Sequence, residues 1–106
     1  MSQATKSQID PLNRNNYGAI SAMLTVVDVE KTYEFCQKAF GLEGRGVMRG
    51  PDGKPIHAEL KLRDSVLMLG PEVPSRQHYS AKTLGNTPTP LYLLVEDVDK
   101  VAVQAA

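Results

Sequence analysis

The sequence predicts an α+β fold built on one strand–helix–three-strand (βαβββ) unit, followed by the first strand and part of the helix of a second. Three observations carry that reading. The run ISAMLTVVDVEKTYEFCQKAFG joins a strand-like segment to an amphipathic helical one through Asp28. Residues 55–62 alternate cleanly between apolar and polar side chains, which is the period of a half-buried strand. Finally, residues 93–100 (LLVEDVDK) repeat residues 24–31 (LTVVDVEK): Leu24, Val26, Asp28, Val29 and Lys31 recur as Leu93, Val95, Asp97, Val98 and Lys100. Common residue types allow a chance match. Duplication of a supersecondary unit is favoured because both copies fall where the apolar pattern independently calls for a strand and then a helix.

Taken in order, residues 1–17 are polar, without apolar period, and read as a flexible arm. Residues 18–70 hold the first unit. Residues 20–27 are rich in β-branched and large apolar side chains and form its opening strand. Asp28 is placed to cap the helix, since its side-chain oxygen can accept from a free first-turn amide and its charge suits the positive end of the helix dipole. Val29, Tyr33, Cys36 and Phe40 make one apolar stripe, while Glu30, Lys31, Glu34, Gln37 and Lys38 face water. Gly41 suits the left-handed turn that ends the helix. Residues 42–49 form a short glycine-containing strand, and Gly50-Pro51-Asp52-Gly53 forms a turn. In residues 55–62, Ile56, Ala58, Leu60 and Leu62 face one way, and His57, Glu59 and Lys61 the other. Arg63 and Asp64 turn the chain into a last strand over residues 65–70. Residues 71–90, which include Pro71, Pro74, Pro88 and Pro90, read as a linker. Residues 91–106 begin the second unit and stop inside its helix.

The helix must cover one sheet face. Ile20, Ala22, Leu24 and Val26 are expected beneath it, with Leu67 and Leu69. Ser21, Met23, Thr25 and Val27 are expected on the far face with His57, Glu59, Lys61, Val66 and Met68. That far face mixes polar with apolar residues, so it is either plain solvent surface or the lining of a ligand cleft.

Composition narrows the function classes. Twelve basic and twelve acidic side chains cancel across 106 residues, so no basic patch argues for nucleic acid. Six aromatic residues and no tryptophan leave little for base stacking. There is no long apolar run and no signal-peptide pattern, and neither a membrane nor nucleic acid is an expected partner. The single cysteine excludes an internal disulfide framework and fits a reducing cytoplasm.

A βαβββ unit with D-V-E-K after its first strand, A-F-G ending its helix and the run HAELKLRDSVLMLGPE resembles the vicinal oxygen chelate superfamily. That superfamily includes glyoxalase I, ring-cleaving dioxygenases and bleomycin and fosfomycin resistance proteins. The PhnB-like branch is the nearest in pattern, and the resemblance covers residues 20–106. It implies two such modules curled into one cup, with the ligand on the faces away from the helices. Metal-dependent members place a ligand seven residues before the capping aspartate and another on the fourth strand. The matching positions here are Ser21, Pro90 and Met68, none of them an imidazole or carboxylate donor, so no metal and no other cofactor is expected.

On the cup face the resemblance leaves Ser21, Met23, His57, Glu59, Met68 and Tyr92 as candidate ligand-binding residues. His57 and Glu59, two apart on a strand, are also candidates for an acid–base pair, because a carboxylate beside an imidazole favours its charged form. Against that acid–base role, the favoured reading of His57, Glu59 and Lys61 is a solvated polar row. Cys36 reads as a small buried hydrophobe and His78 as a loop residue. Three function classes stay open: a metal-free protein binding a small hydrophobic or aromatic molecule, a lyase- or dioxygenase-type enzyme, and an interaction module or inactive remnant. One unit leaves a sheet face and a strand edge uncovered, and a homodimer that builds the cup between two chains is the expected remedy.

Overall fold

The computed structural model describes residues 8–87 and 89–106. The fold is α+β, with one four-stranded mixed sheet and three helices. The strands are β1 (Ala22–Val26), β2 (Glu43–Arg49), β3 (Pro55–Leu62) and β4 (Ser65–Pro71), and their order across the sheet is β1-β4-β3-β2. β1 runs parallel to β4, while the β2–β3 and β3–β4 pairs are antiparallel hairpins.

Helix α1 (Val29–Phe40) matches the expected bounds at both ends. The Asp28 carboxylate accepts from the Lys31 amide at 3.0 Å. At the other end Gly41 adopts φ 69°, and the amides of Gly41 and Leu42 reach back to the carbonyls of Gln37 and Cys36. This doubled closure satisfies two otherwise orphaned carbonyls and needs a residue that tolerates the left-handed region. The helix buries Val29, Cys36 and Ala39, and its Val29 and Cys36 join Leu42, Ala58, Leu60 and Leu69 in the core, with Leu24, Val26, Tyr33 and Leu67 packed around them. The alternation expected for β1, β3 and β4 therefore holds across the middle of the sheet. It fails at the margins. Ile20 lies ahead of β1 and is exposed, and Ile56, at the turn end of β3, is about half exposed.

Helix α2 (Ala81–Leu84) and helix α3 (Val98–Ala105) lie in the second half of the chain. Residues 71–90 are not a plain linker. Pro71 ends β4, Val73 bridges to His78, a 3-10 turn spans Pro74–Arg76, and Ser80 caps α2. Glu72 accepts from both the amide and the hydroxyl of Ser80, at 2.8 and 2.7 Å. These local bonds organise a segment whose composition shows no apolar period. The expected second strand does not form: residues 91–95 carry no strand pairing, although Asp97 caps α3 as expected. α3 packs beside α1, where the Gln104 amide donates to the Lys38 carbonyl at 2.7 Å.

The arm divides. Residues 1–7 lie outside the described residues. Residues 8–17 are not a free tail, because the Gln8 amide bonds the Arg45 carbonyl at 2.7 Å, a 3-10 turn forms at Arg14–Asn16, and Tyr17 bonds Glu59. A buried charged pair on the sheet gives this polar segment partners that composition alone does not show.

Candidate functional site

The site lies on the sheet face away from α1 and begins with a defect in β2. Gly44 pairs with Leu60 and Gly46 with Glu59, so Arg45 is the extra residue of a β-bulge. Gly46 sits at φ 116°, a conformation that suits glycine. The amide of Gly46 donates to the Tyr33 hydroxyl of α1 at 2.8 Å. A side chain at Gly44 would run into that same Tyr33, so the G-R-G stretch and the helix tyrosine fit only together. The bulge seats the Arg45 side chain, 7 % exposed, against Glu59.

Glu59 is the most deeply buried charged side chain among the described residues, at 1 % exposure. Taking a carboxylate out of water costs several kcal/mol unless it is paired and hydrogen-bonded, and here it is both. Arg45 Nη1 lies 3.4 Å from Oε1. The Tyr17 hydroxyl donates to the carboxylate, 2.9 Å from Oε1 and 3.1 Å from Oε2. His57 Nε2 lies 2.9 Å from Oε2. Arg45 Nη2 donates to the Asn16 carbonyl at 2.5 Å, and its guanidinium stands 5.2 Å from the centre of the Tyr17 ring. Burial, and then the hydrogen bond to Glu59, push the Tyr17 phenol above its ordinary pKa. The expected solvated polar row is thus wrong for Glu59, which is the hub of a network.

Beside this network is an open pocket of about 330 Å³, lined by Pro11, Tyr17, Ser21, His57, Glu59 and Met68. Four sequence-derived candidates, Ser21, His57, Glu59 and Met68, meet there. Met23 does not line it. It lies with Phe35, Tyr79 and Leu84 on a larger groove of about 1040 Å³ between the free edge of β1, α1 and α2, which Pro90 and Leu91 also border. Tyr92 joins neither and is 96 % exposed, because residues 91–95 do not enter the sheet. Three lining or supporting residues escaped the sequence reading: Pro11, Tyr17 and Arg45. Glycines flanking an arginine inside a strand signal a bulge and could have found Arg45. A lone aromatic in a polar arm is the weaker sign for Tyr17.

The donor set does not fit the metal centre that the resemblance allows. The Ser21 hydroxyl and the Met68 thioether are poor donors for a hard divalent ion, and Pro90 has no side-chain donor and borders the other groove. His57 and Glu59 are bonded to each other, and no group of three His, Cys, Asp or Glu side chains among the described residues could hold a metal ion. Cys36 is buried under α1, and burial raises its thiol pKa, as befits a core residue rather than a nucleophile. No helix among the described residues is long and apolar enough to cross a membrane.

The chain is 36% identical over 100 residues to the uncharacterized protein Rv0887c of Mycobacterium tuberculosis H37Rv, a match spanning 92% of this chain and 59% of that protein. The uncharacterized protein Mb0911c of Mycobacterium bovis is 38% identical over 84 residues, 76% of this chain and 55% of that protein. The chain therefore spans less than two thirds of the length of the curated relatives it matches. No family model matches the chain, and no solved structure matches it. Neither relative's name carries an activity.

Proposed function

We propose that this chain is a module of the glyoxalase and bleomycin-resistance type that binds a small hydrophobic or aromatic molecule without a metal ion. The observation that carries this reading is the pocket beside Glu59, where side chains chosen from the sequence converge over apolar walls. The strand order β1-β4-β3-β2, with one helix across one face, supports the module assignment. The fully partnered charges favour binding over catalysis. Tyr17 spends its one hydroxyl proton on Glu59, and Arg45, paired with Glu59 and bonded to the Asn16 carbonyl, does not line the pocket, so neither is placed to stabilise charge developing on a substrate. Amide and methyl chemical shifts in the presence of small aromatic compounds test the reading. Shifts should cluster at Tyr17, Ser21, His57 and Met68. Shifts confined to the β1–α2 groove, or none at all, would overturn it.

A second reading, proton transfer by His57 held by Glu59, is favoured by their 2.9 Å contact. It requires Glu59→Gln to lose turnover on a substrate that the protein still binds. A homodimer belongs to the first reading, since β1 is an edge strand and the groove beside it is open and apolar. Sedimentation at micromolar concentration should give twice the chain mass, and a monomer would remove the dimer from the proposal. Action in the reducing cytoplasm fits the single free thiol at Cys36.

A further inference from the structure

In the network around Glu59, matching donors with acceptors leaves one ring nitrogen without a partner. Glu59 accepts from Tyr17, Arg45 and His57. The single phenolic proton of Tyr17 is spent on that carboxylate, and the Arg45 guanidinium is divided between Glu59 and the Asn16 carbonyl. An ionised carboxylate can only accept, so the proton of a neutral His57 ring must sit on Nε2, facing Oε2 at 2.9 Å. Nδ1 is then a bare acceptor, and it has no partner among the described residues. His57 is 23 % exposed and lines the pocket. The other polar group available there is the Ser21 hydroxyl, while Pro11, Met68 and the Tyr17 ring give apolar and aromatic walls.

We infer that the pocket selects an uncharged aromatic molecule carrying one N–H or O–H donor, held by His57 Nδ1 with its ring against Met68 and Tyr17. The inference rests on the binding function proposed above and names the ligand class of that same site. An anion of the same shape is rejected, because it brings negative charge to a lone pair backed by a buried carboxylate, and the nearby guanidinium, paired with that carboxylate, does not line the pocket. A molecule with the same ring but no donor leaves Nδ1 covered and unpaired, which also costs affinity. A pocket of about 330 Å³ has room for one or two fused rings, given that benzene fills a cavity of about 150 Å³.

Three probes of one shape test this: 2-naphthol, 2-methoxynaphthalene and 2-naphthoate, titrated near neutral pH with chemical shifts at Met68 and Tyr17 as the readout. The naphthol should bind about tenfold more tightly than the ether, the ratio one ordinary hydrogen bond supports, and the naphthoate should bind least. His57→Phe should bring the naphthol-to-ether ratio to about one while the ether still binds. Equal affinities in the unaltered protein, or naphthoate in first place, would overturn the ligand class and leave small-molecule binding standing. Failure of all three to bind would sink both. Nitrogen-15 spectra of the His57 ring in the unaltered, ligand-free protein give an independent check. They should show the proton on Nε2 alone, and a proton on Nδ1, whether the ring is neutral or cationic, would overturn the inference even if His57→Phe does not fold.

Discussion

Residues 24–31 and 93–100 are near copies in sequence, and half of each copy behaves alike. Asp28 and Asp97 hold the same backbone conformation, φ −130° and ψ 101° against φ −136° and ψ 96°. Each accepts from the amide three residues on at 3.0 Å, and each starts a helix. The strand halves part company. Residues 22–26 pair with residues 67–71 in parallel register, whereas residues 91–95 pair with nothing, and the Leu94 carbonyl is held from outside by Arg63 at 2.6 Å. A helix cap is satisfied within four residues of chain, so it forms wherever its sequence occurs. A strand is satisfied only by a neighbour, so the same letters give a ladder in one place and an extended segment in the other.

Four predictions break or sharpen that comparison. The largest effect belongs to what the first copy's sheet holds and the second copy lacks, the buried pair. Glu59→Gln leaves Arg45 charged and buried beside a neutral amide, and should lower unfolding free energy by about 3 kcal/mol or more. A loss under about 1 kcal/mol in denaturant titration would mean that water reaches the pair.

Next, the repeated leucines should respond unequally. Leu24→Ala removes a side chain packed on the core and should cost about 2 kcal/mol. Leu93→Ala, in the unpaired segment, should stay within about 0.5 kcal/mol. Equal costs would show that residues 91–95 are packed in solution.

The aspartates should respond equally in kind but not in reach. Asp28→Ala should cost about 1 kcal/mol of global stability. Asp97→Ala should instead speed amide exchange within α3 and leave the midpoint of unfolding unchanged, because α3 adds no residue to the buried core.

The smallest effect is one of pH. The Thr83 hydroxyl and the amide and hydroxyl of Ser80 hold the Glu72 carboxyl below its ordinary value of 4.5. A depressed folded-state pKa stabilises above the ordinary value, and the contribution disappears as pH falls through the depressed one. The α2 segment should therefore loosen below about pH 4.5, seen as faster exchange at Thr83 and Gly85, and Glu72→Gln should remove that pH dependence.

Much of the fold was legible because its signals are periodic or local. The Val29–Phe40 helix, its two caps and the alternation of β3 depend on spacings of two to four residues. The site was legible in part. His57 and Glu59 had to share a face, and Ser21 and Met68 came from the strand alternation and from the positions that the family resemblance marks. Arg45 and Tyr17 stayed hidden because each acquires meaning through a partner far along the chain: Glu59 is 14 residues from Arg45 and 42 from Tyr17. Composition likewise marked residues 8–17 and 71–90 as irregular, which is true of much of their backbone but says nothing of where their hydrogen bonds end.

By itself, then, the sequence determined the β1–α1 junction, the bounds of α1, the cap of α3 and the two faces of β3. Caps, glycine turns and alternation are decided by interactions among near neighbours. Only the tertiary structure decided that residues 91–95 remain unpaired, that Tyr17 joins the site and that Glu59 is buried at its centre. A ladder partner, a guanidinium brought in by a bulge and a pocket wall are all supplied from distant parts of the chain, and no local pattern records their arrival.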